Sequence, residues 1–170
     1  MTGPNDFAKL QELVFAQRSI EENSVHGLDH WSQVEFNGIF LAAKTRADVE
    51  VVRLFALFHD SRRESDFHDP GHGARGAELA KSWLGKHFTL EGERFKLLYL
   101  ACRDHTDVLS SGNPTIDTCF DADRLDLGRV GIYPDPEKMA TEFGKKIARR
   151  AREEEVPVFQ FRKWIRNLKW

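Results

Sequence analysis

Seven histidines are spread through 170 residues, and three of them fall in "RLFALFHDSRRESDFHDPGHG", from Arg53 to Gly73. His59-Asp60 stands directly behind an apolar run, His68-Asp69 repeats the dipeptide nine positions later, and His72 follows. His26 and His30 lie upstream, His105 sits in "ACRDHTD", and Asp121, Asp123 and Asp126 punctuate "FDADRLD". Imidazole and carboxylate form a mixed nitrogen and oxygen donor set, suited to Mn, Fe, Co, Ni, Zn or Mg rather than to a thiolate-preferring ion. Asp60 carries most of the argument. An ionised carboxylate behind "LFALFH" is costly to bury without a partner. A helix C-terminus, whose dipole favours cations, is a poor place for it. A metal ion answers both objections, although a bare "HD" dipeptide also fits a packed core histidine followed by a loop-capping aspartate.

The neighbouring residues divide in the same way. Arg62 and Arg63 follow the pair, and guanidinium is well shaped for phosphate; the plainer alternative is solvated loop charge. "DADRLD" taken by itself reads as an ion-pair cluster in which Arg124 and Arg129 neutralise nearby acids. His68-Asp69 precedes Pro70 in a polar segment, which is ordinary turn chemistry. No nucleophile elbow and no phosphate-cradling GxxxxGK[ST] is present.

Helical spacing dominates the elements that must position these groups. A first helix is expected over about residues 5–22, and a second over "GLDHWSQVEFNGIFLAAKT" with Asp29 as its N-cap. "DVEVVRLFALFHD" is a third, apolar on most faces and therefore buried. After the polar loop come "GARGAELAKSWLGKH", with small residues on one side for close packing, and "LEGERFKLLYLACRDHTD". "TIDTCFDADRLDLGRVG" and "EKMATEFGKKIARRAREEE" are read as continuous helices, followed by a short aromatic and basic segment, "VFQFRKWIRNLKW". Prolines 70, 114, 134, 136 and 157 all fall at these boundaries. The expected fold is all-α: a single-domain bundle of seven or eight helices over residues 1–170, with a basic helical C-terminal segment at about 137–170. Trp31, Trp83, Trp164 and Trp170 are expected to pack rather than to stack bases, with Trp31 beside His30 near any pocket.

Composition is that of a soluble globule, 41% hydrophobic and 31% charged. Cys102 and Cys119 lack CxxC spacing, so a disulfide framework is not expected and a cytoplasmic location is. The opening "MTGPNDFAKLQELVFAQ" lacks the pattern of a signal peptide, and no apolar run is long enough to span a membrane. The net charge of −2 is uneven: residues 145–170 carry nine Lys or Arg against three Glu. Such a tail can attract nucleic acid, but a charge run is more often a solvated helix face.

In order and spacing, "HGLDHWSQV", "LFALFHDSRRE" and "FDADRLDLGRVGIYPDP" resemble the HD-domain superfamily of metal-dependent phosphohydrolases. The pattern there is one histidine, a later adjacent His-Asp pair and a distant aspartate, each on a helix of an all-α bundle. The resemblance covers about residues 26–136. It implies metal ligation by His30, His59, Asp60 and Asp123, with Asp121 a rival for the last place, and one or two divalent ions as cofactor. It also implies that a metal-activated water hydrolyses a phosphomonoester, phosphodiester or phosphoanhydride of a small phosphorylated compound, a nucleotide foremost. His72 and His105 have the order of the extra histidines that hold a second ion in some subfamilies. Alternatively they contact substrate phosphate or protonate the leaving group, and with Asp60 and Arg63 they are the catalytic candidates. His26, Arg62 and Arg63 are the substrate-binding candidates. Two other classes stay open: an HD-fold metal or nucleotide sensor without turnover, and a nucleic-acid binder acting through the basic tail.

Overall fold

A computed structural model describes residues 5–169, so the packing expected of Trp170 lies outside the described residues. Eight α-helices follow in order: α1 Phe7–Ala16, α2 Leu28–Thr45, α3 Val49–Phe58, α4 His72–Trp83, α5 Gly92–Asp104, α6 Pro114–Arg124, α7 Glu142–Glu153 and α8 Phe161–Arg166. Three 3-10 turns, at Leu127–Val130, Pro136–Lys138 and Val158–Gln160, join the later ones. No extended strand occurs among the described residues; one isolated bridge pairs Leu84 with Phe88. The fold is all-α.

The centre of the bundle is α3, which packs against α1, α2, α4, α5 and α6. Asp48 starts it by accepting from the backbone N–H groups of Glu50 and Val51, a side-chain N-cap. From there Val51, Val52 and Leu54 to Phe58 are all buried. Burying a large apolar side chain contributes about 1.5–3 kcal/mol, so this helix is a fixed shaft. His59 and Asp60 project from its C-terminal end.

Small residues bring α4 against that end, as the sequence anticipates. A Cβ added at Gly76 would run into the carbonyl oxygen of Phe58 and approach that of His59 at 3.1 Å. One added at Gly73 would strike the carbonyl of Cys102 at the end of α5. This close seat sets His72, the first residue of α4, beside His105, the C-cap of α5.

Several boundaries differ from expectation. The first helix covers only Phe7–Ala16, because Gln17 turns its N–H back to Phe15 and Val14. The second begins at Leu28 with Gly27 as N-cap, so Asp29 lies inside the first turn and His26 precedes the helix. The helix through "DADRL" stops at Arg124 and resumes as a 3-10 turn. "EKMATEFG" breaks before Glu142, where Thr141 supplies a new N-cap. Cys102 and Cys119 are buried and free. No helix among the described residues is long and apolar enough to cross a membrane.

Candidate metal centre

Three helix ends converge on one cluster. His30 from α2, His59 and Asp60 from the end of α3 and Asp123 from α6 place donor atoms close together. His30 Nε2 lies 3.1 Å from His59 Nε2, 3.5 Å from Asp60 Oδ2 and 3.3 Å from Asp123 Oδ1. His59 Nε2 lies 3.7 and 3.9 Å from the same two carboxylate oxygens. Bonds of about 2.1 Å to nitrogen or oxygen put neighbouring ligand atoms roughly 3.0–3.4 Å apart, so the spacing fits a divalent ion.

The orientation of the rings strengthens the fit. His30 Nδ1 donates to Asp126 Oδ2 at 2.8 Å. His59 Nδ1 lies 3.1 Å from the Phe55 carbonyl and 3.2 Å from that of Ala56. His105 Nδ1 donates to the Cys102 carbonyl at 2.8 Å, and His72 Nδ1 to that of Asp69. Each of these oxygens only accepts, so every Nδ1 carries a proton and every Nε2 turns its ligating position inward. This is the hydrogen-bonding pattern that orients imidazole for a metal. Two facing Nε2 atoms 3.1 Å apart repel one another unless a cation lies with them.

The electrostatics carry the same demand. Burial works against a charge on His30, yet hydrogen bonding to Asp123, Asp126 and Asp60 outweighs it and raises its pKa to about 10. Burial pushes His59 the other way, to about 3, and the charges of Asp60 and Asp123 only partly offset that. Burial alone would raise Asp60 and Asp123, but the surrounding histidines hold both carboxyls well below the usual range. In the protein alone, a proton on His30 is the cation of the cluster; a divalent ion would take its place.

Asp60 faces two ways. Its Oδ2 accepts from His26 Nδ1 at 2.7 Å and borders the cluster just described. Its Oδ1 is buried without a hydrogen-bond partner. Around Oδ1 stand His72 Nε2 at 3.2 Å, His105 Nε2 at 3.8 Å and Arg63 Nη1 at 3.5 Å. His72 and His105 face each other through Nε2 at 3.0 Å. Asp60, His72 and His105 thus form a second group with metal-ligating chemistry, which shares its carboxylate with the first.

Two aspartates of "FDADRLD" take roles that the sequence alone did not assign. Asp121 accepts from the N–H groups of Ala140 and Thr141 and from the Thr141 hydroxyl, at 2.6–2.8 Å. Both its oxygens are committed to the entry of α7, so it is turned away from the cluster, and Asp123, rather than its rival, stands at the cluster. Asp126 is fully buried behind His30 and accepts two 2.6 Å hydrogen bonds from Arg162 of α8. Neither Asp126 nor Arg162 stood among the expected site residues. Asp126 looked like one acid of an ion-pair cluster, and Arg162 looked like tail charge. Only the repeat of aspartate at three-residue spacing after Asp123 hinted at a supporting partner.

The remaining candidates separate. His26 joins the site through Asp60, and its Nδ1 also lies 3.2 Å from Arg129 Nη2. Arg63 is buried and enters the site. Arg62 does not: it donates to the carbonyl of Gln17 and lines a separate surface depression, because the turn after Asp60 sends consecutive side chains in opposite directions. His68-Asp69 is loop structure, with Asp69 accepting from Arg75 and from the backbone of Glu64. Trp31 is buried in the core and does not line the site cavity.

That cavity, of about 450 Å³, opens over the cluster. His26, Asp60, Arg63, His72, His105 and Asp123 line it, Arg129, Lys138 and Arg152 add positive charge, and Asp135 pairs with Arg152. Leu127, Ile132, Tyr133 and Met139 add an apolar side. A larger depression of about 610 Å³, near Lys44, Glu142 and Lys146, is more open and is lined by none of the clustered histidines.

No family model and no curated protein matches the sequence. Among solved structures, the chain resembles the crystal structure of a predicted HD superfamily hydrolase from an uncultured Thermotogales bacterium. The TM-score is 0.71 at 23% identity, over 92% of this chain and 90% of that one. The fold is therefore the HD-domain fold.

Proposed function

We propose that this protein is a metal-dependent phosphohydrolase whose ion is held by His30, His59, Asp60 and Asp123. The observation that carries the reading is the convergence of His30 and His59 Nε2 atoms, each fixed through Nδ1, upon the buried carboxylate of Asp60 and the partly exposed one of Asp123. When bound, a divalent ion there supplies an acidified water and polarises a phosphoryl oxygen. The chain's own residues do the rest. Asp60 fixes the ion side of the cavity and holds His26. Arg63 presents a guanidinium N–H to an incoming phosphoryl oxygen, a charge-assisted contact. His72 accepts from Arg63 through Nε2 and so positions that guanidinium, and His105 is the candidate for proton transfer to a leaving oxygen.

The substrate we propose is a small phosphorylated compound, a nucleotide foremost. Support comes from the cavity: cationic Arg63, Arg129, Lys138 and Arg152 suit a polyanion, and Tyr133 with its apolar neighbours suits a base or another flat group. The test is turnover on a panel of nucleotides, phosphomonoesters and phosphodiesters by protein stripped with chelator and then reloaded with Mn²⁺, Co²⁺, Ni²⁺, Zn²⁺ or Mg²⁺. Hydrolysis that disappears with chelator and returns with the ion is expected. An ion held tightly with no turnover on any substrate would favour the sensor reading.

A further inference from the structure

We infer that the centre takes one divalent ion, and that the guanidinium of Arg63 occupies the place of a second. The inference rests on the reading of His30, His59, Asp60 and Asp123 as ligands, and goes beyond it by fixing what fills the adjoining group of Asp60, His72 and His105.

The two groups share Asp60 but differ in one respect. Among the first four donors no described Lys or Arg nitrogen stands within hydrogen-bond reach of the facing Nε2 atoms. The second group already contains one. Arg63 Nη1 lies 3.1 Å from His72 Nε2 and 3.5 Å from Asp60 Oδ1. His72 Nδ1 is committed to the Asp69 carbonyl, so its Nε2 is an acceptor and the contact is a hydrogen bond from Arg63. The lone pair a second ion would need is therefore in use. The guanidinium is also pinned from behind: Nε donates to the carbonyl of Ser65 at 2.9 Å, and Nη2 to that of Phe67 at 3.0 Å. Three of its nitrogens are thereby held by one loop and one helix end, and the side chain is only 10% exposed. A guanidinium keeps its charge at any working pH, so this second positive charge does not depend on ion supply. It also retains planar N–H groups that a second ion lacks, which would suit recognition of a phosphoryl oxygen.

The test counts ions. Metal-free protein is equilibrated with excess Mn²⁺ and dialysed, and bound metal is measured by elemental analysis. Electron paramagnetic resonance then distinguishes an isolated Mn²⁺ from a coupled pair. Wild type is expected to hold one ion per chain with an isolated-ion spectrum. Arg63→Ala is expected to hold two, with a coupled spectrum, and Arg63→Ala combined with His72→Ala is expected to return to one. If Arg63→Ala does not fold, single His72→Ala and His105→Ala variants decide: each is expected to keep its one ion. A pair of ions in wild type, loss of the ion from His72→Ala, or a count that stays at one in folded Arg63→Ala would overturn the inference. Two ions in wild type would leave the metal reading standing, whereas none would refute both.

Discussion

Asp126 offers the sharpest test of how the centre is held, because it lines no part of the site cavity and meets the cluster through His30. It is fully buried and makes three short contacts: one from His30 Nδ1 at 2.8 Å and two from Arg162 at 2.6 Å. Loss of such an outer partner of a ligating histidine weakens metal binding by roughly 10–100-fold, or about 1.4–2.7 kcal/mol. Asp126→Asn keeps one oxygen that can face His30, so it is expected near the lower end of that range. Asp126→Ala frees the imidazole and is expected near the upper end. Folding suffers as well. Breaking a fully buried, hydrogen-bonded ion pair costs roughly 3–5 kcal/mol. The Arg162 side chain is 34% exposed, so solvent screening reduces the expected loss to about 1–3 kcal/mol. Chelator competition on folded protein gives the affinity, and thermal unfolding of the metal-free form gives the stability. An affinity within twofold of wild type in a folded Asp126→Ala variant would refute the claim that this carboxylate orients His30. Arg162→Gln should repeat the effect in weaker form and add little on top of Asp126→Ala, since both act through one network.

Further outcomes follow from the same geometry. Asp60→Ala is expected to lose metal and hydrolysis together while far-ultraviolet circular dichroism stays helical; full metal content with full activity would contradict the assignment. A proton and a metal ion compete for His30. Its pKa is raised to about 10 from an ordinary 6.5, so the proton's stabilising contribution is complete below about pH 6.5 and fades as pH rises toward 10. Apparent metal affinity should therefore strengthen about tenfold per pH unit between 7 and 9, where one proton is displaced; a flat profile in chelator competition would count against the competition. Gly76→Ala gains roughly 1 kcal/mol of helix propensity but drives its methyl into backbone of α3 that cannot move aside. A net loss of about 1–3 kcal/mol is expected in denaturant unfolding, with weakened activity as α4 and His72 shift; a stabilised variant would show that the seat is not tight.

Much of this site could be read in the sequence because burial and charge conflict there. An aspartate behind "LFALFH" needs a partner wherever the chain goes, and the structure places it among five histidines. Small residues in "GARGA" signalled close approach, and α4 indeed sits on carbonyl oxygens of α3 and α5. What the sequence could not resolve depends on rotation about short helix ends. Asp121 and Asp123 differ by two positions, or about 200° around a helix, so only one can face the cluster; which one depends on where the entry of α7 lands. Arg62 and Arg63 are chemically identical neighbours separated by the direction of a single turn. The continuous helix expected through "DADRLDLGRVG" breaks at Leu125 and Asp126, just before the 3-10 turn at Leu127–Val130, a break that hydrophobic periodicity does not mark. Arg162 was hidden by company, as one basic residue in a run where solvation is the usual fate.

The bond between Arg162 and Asp126 also sets an order of events during synthesis. His30, His59 and Asp60 emerge from the ribosome in the first part of the chain, and Asp123 and Asp126 well before α8. Until Arg162 arrives, the charge buried at Asp126 lacks its two shortest hydrogen bonds, and the imidazole in front of it is held by a carboxylate still free to turn toward water. The ligands are made early, but the clasp behind them closes late. Any ion would therefore meet the final geometry only in a chain translated through α8.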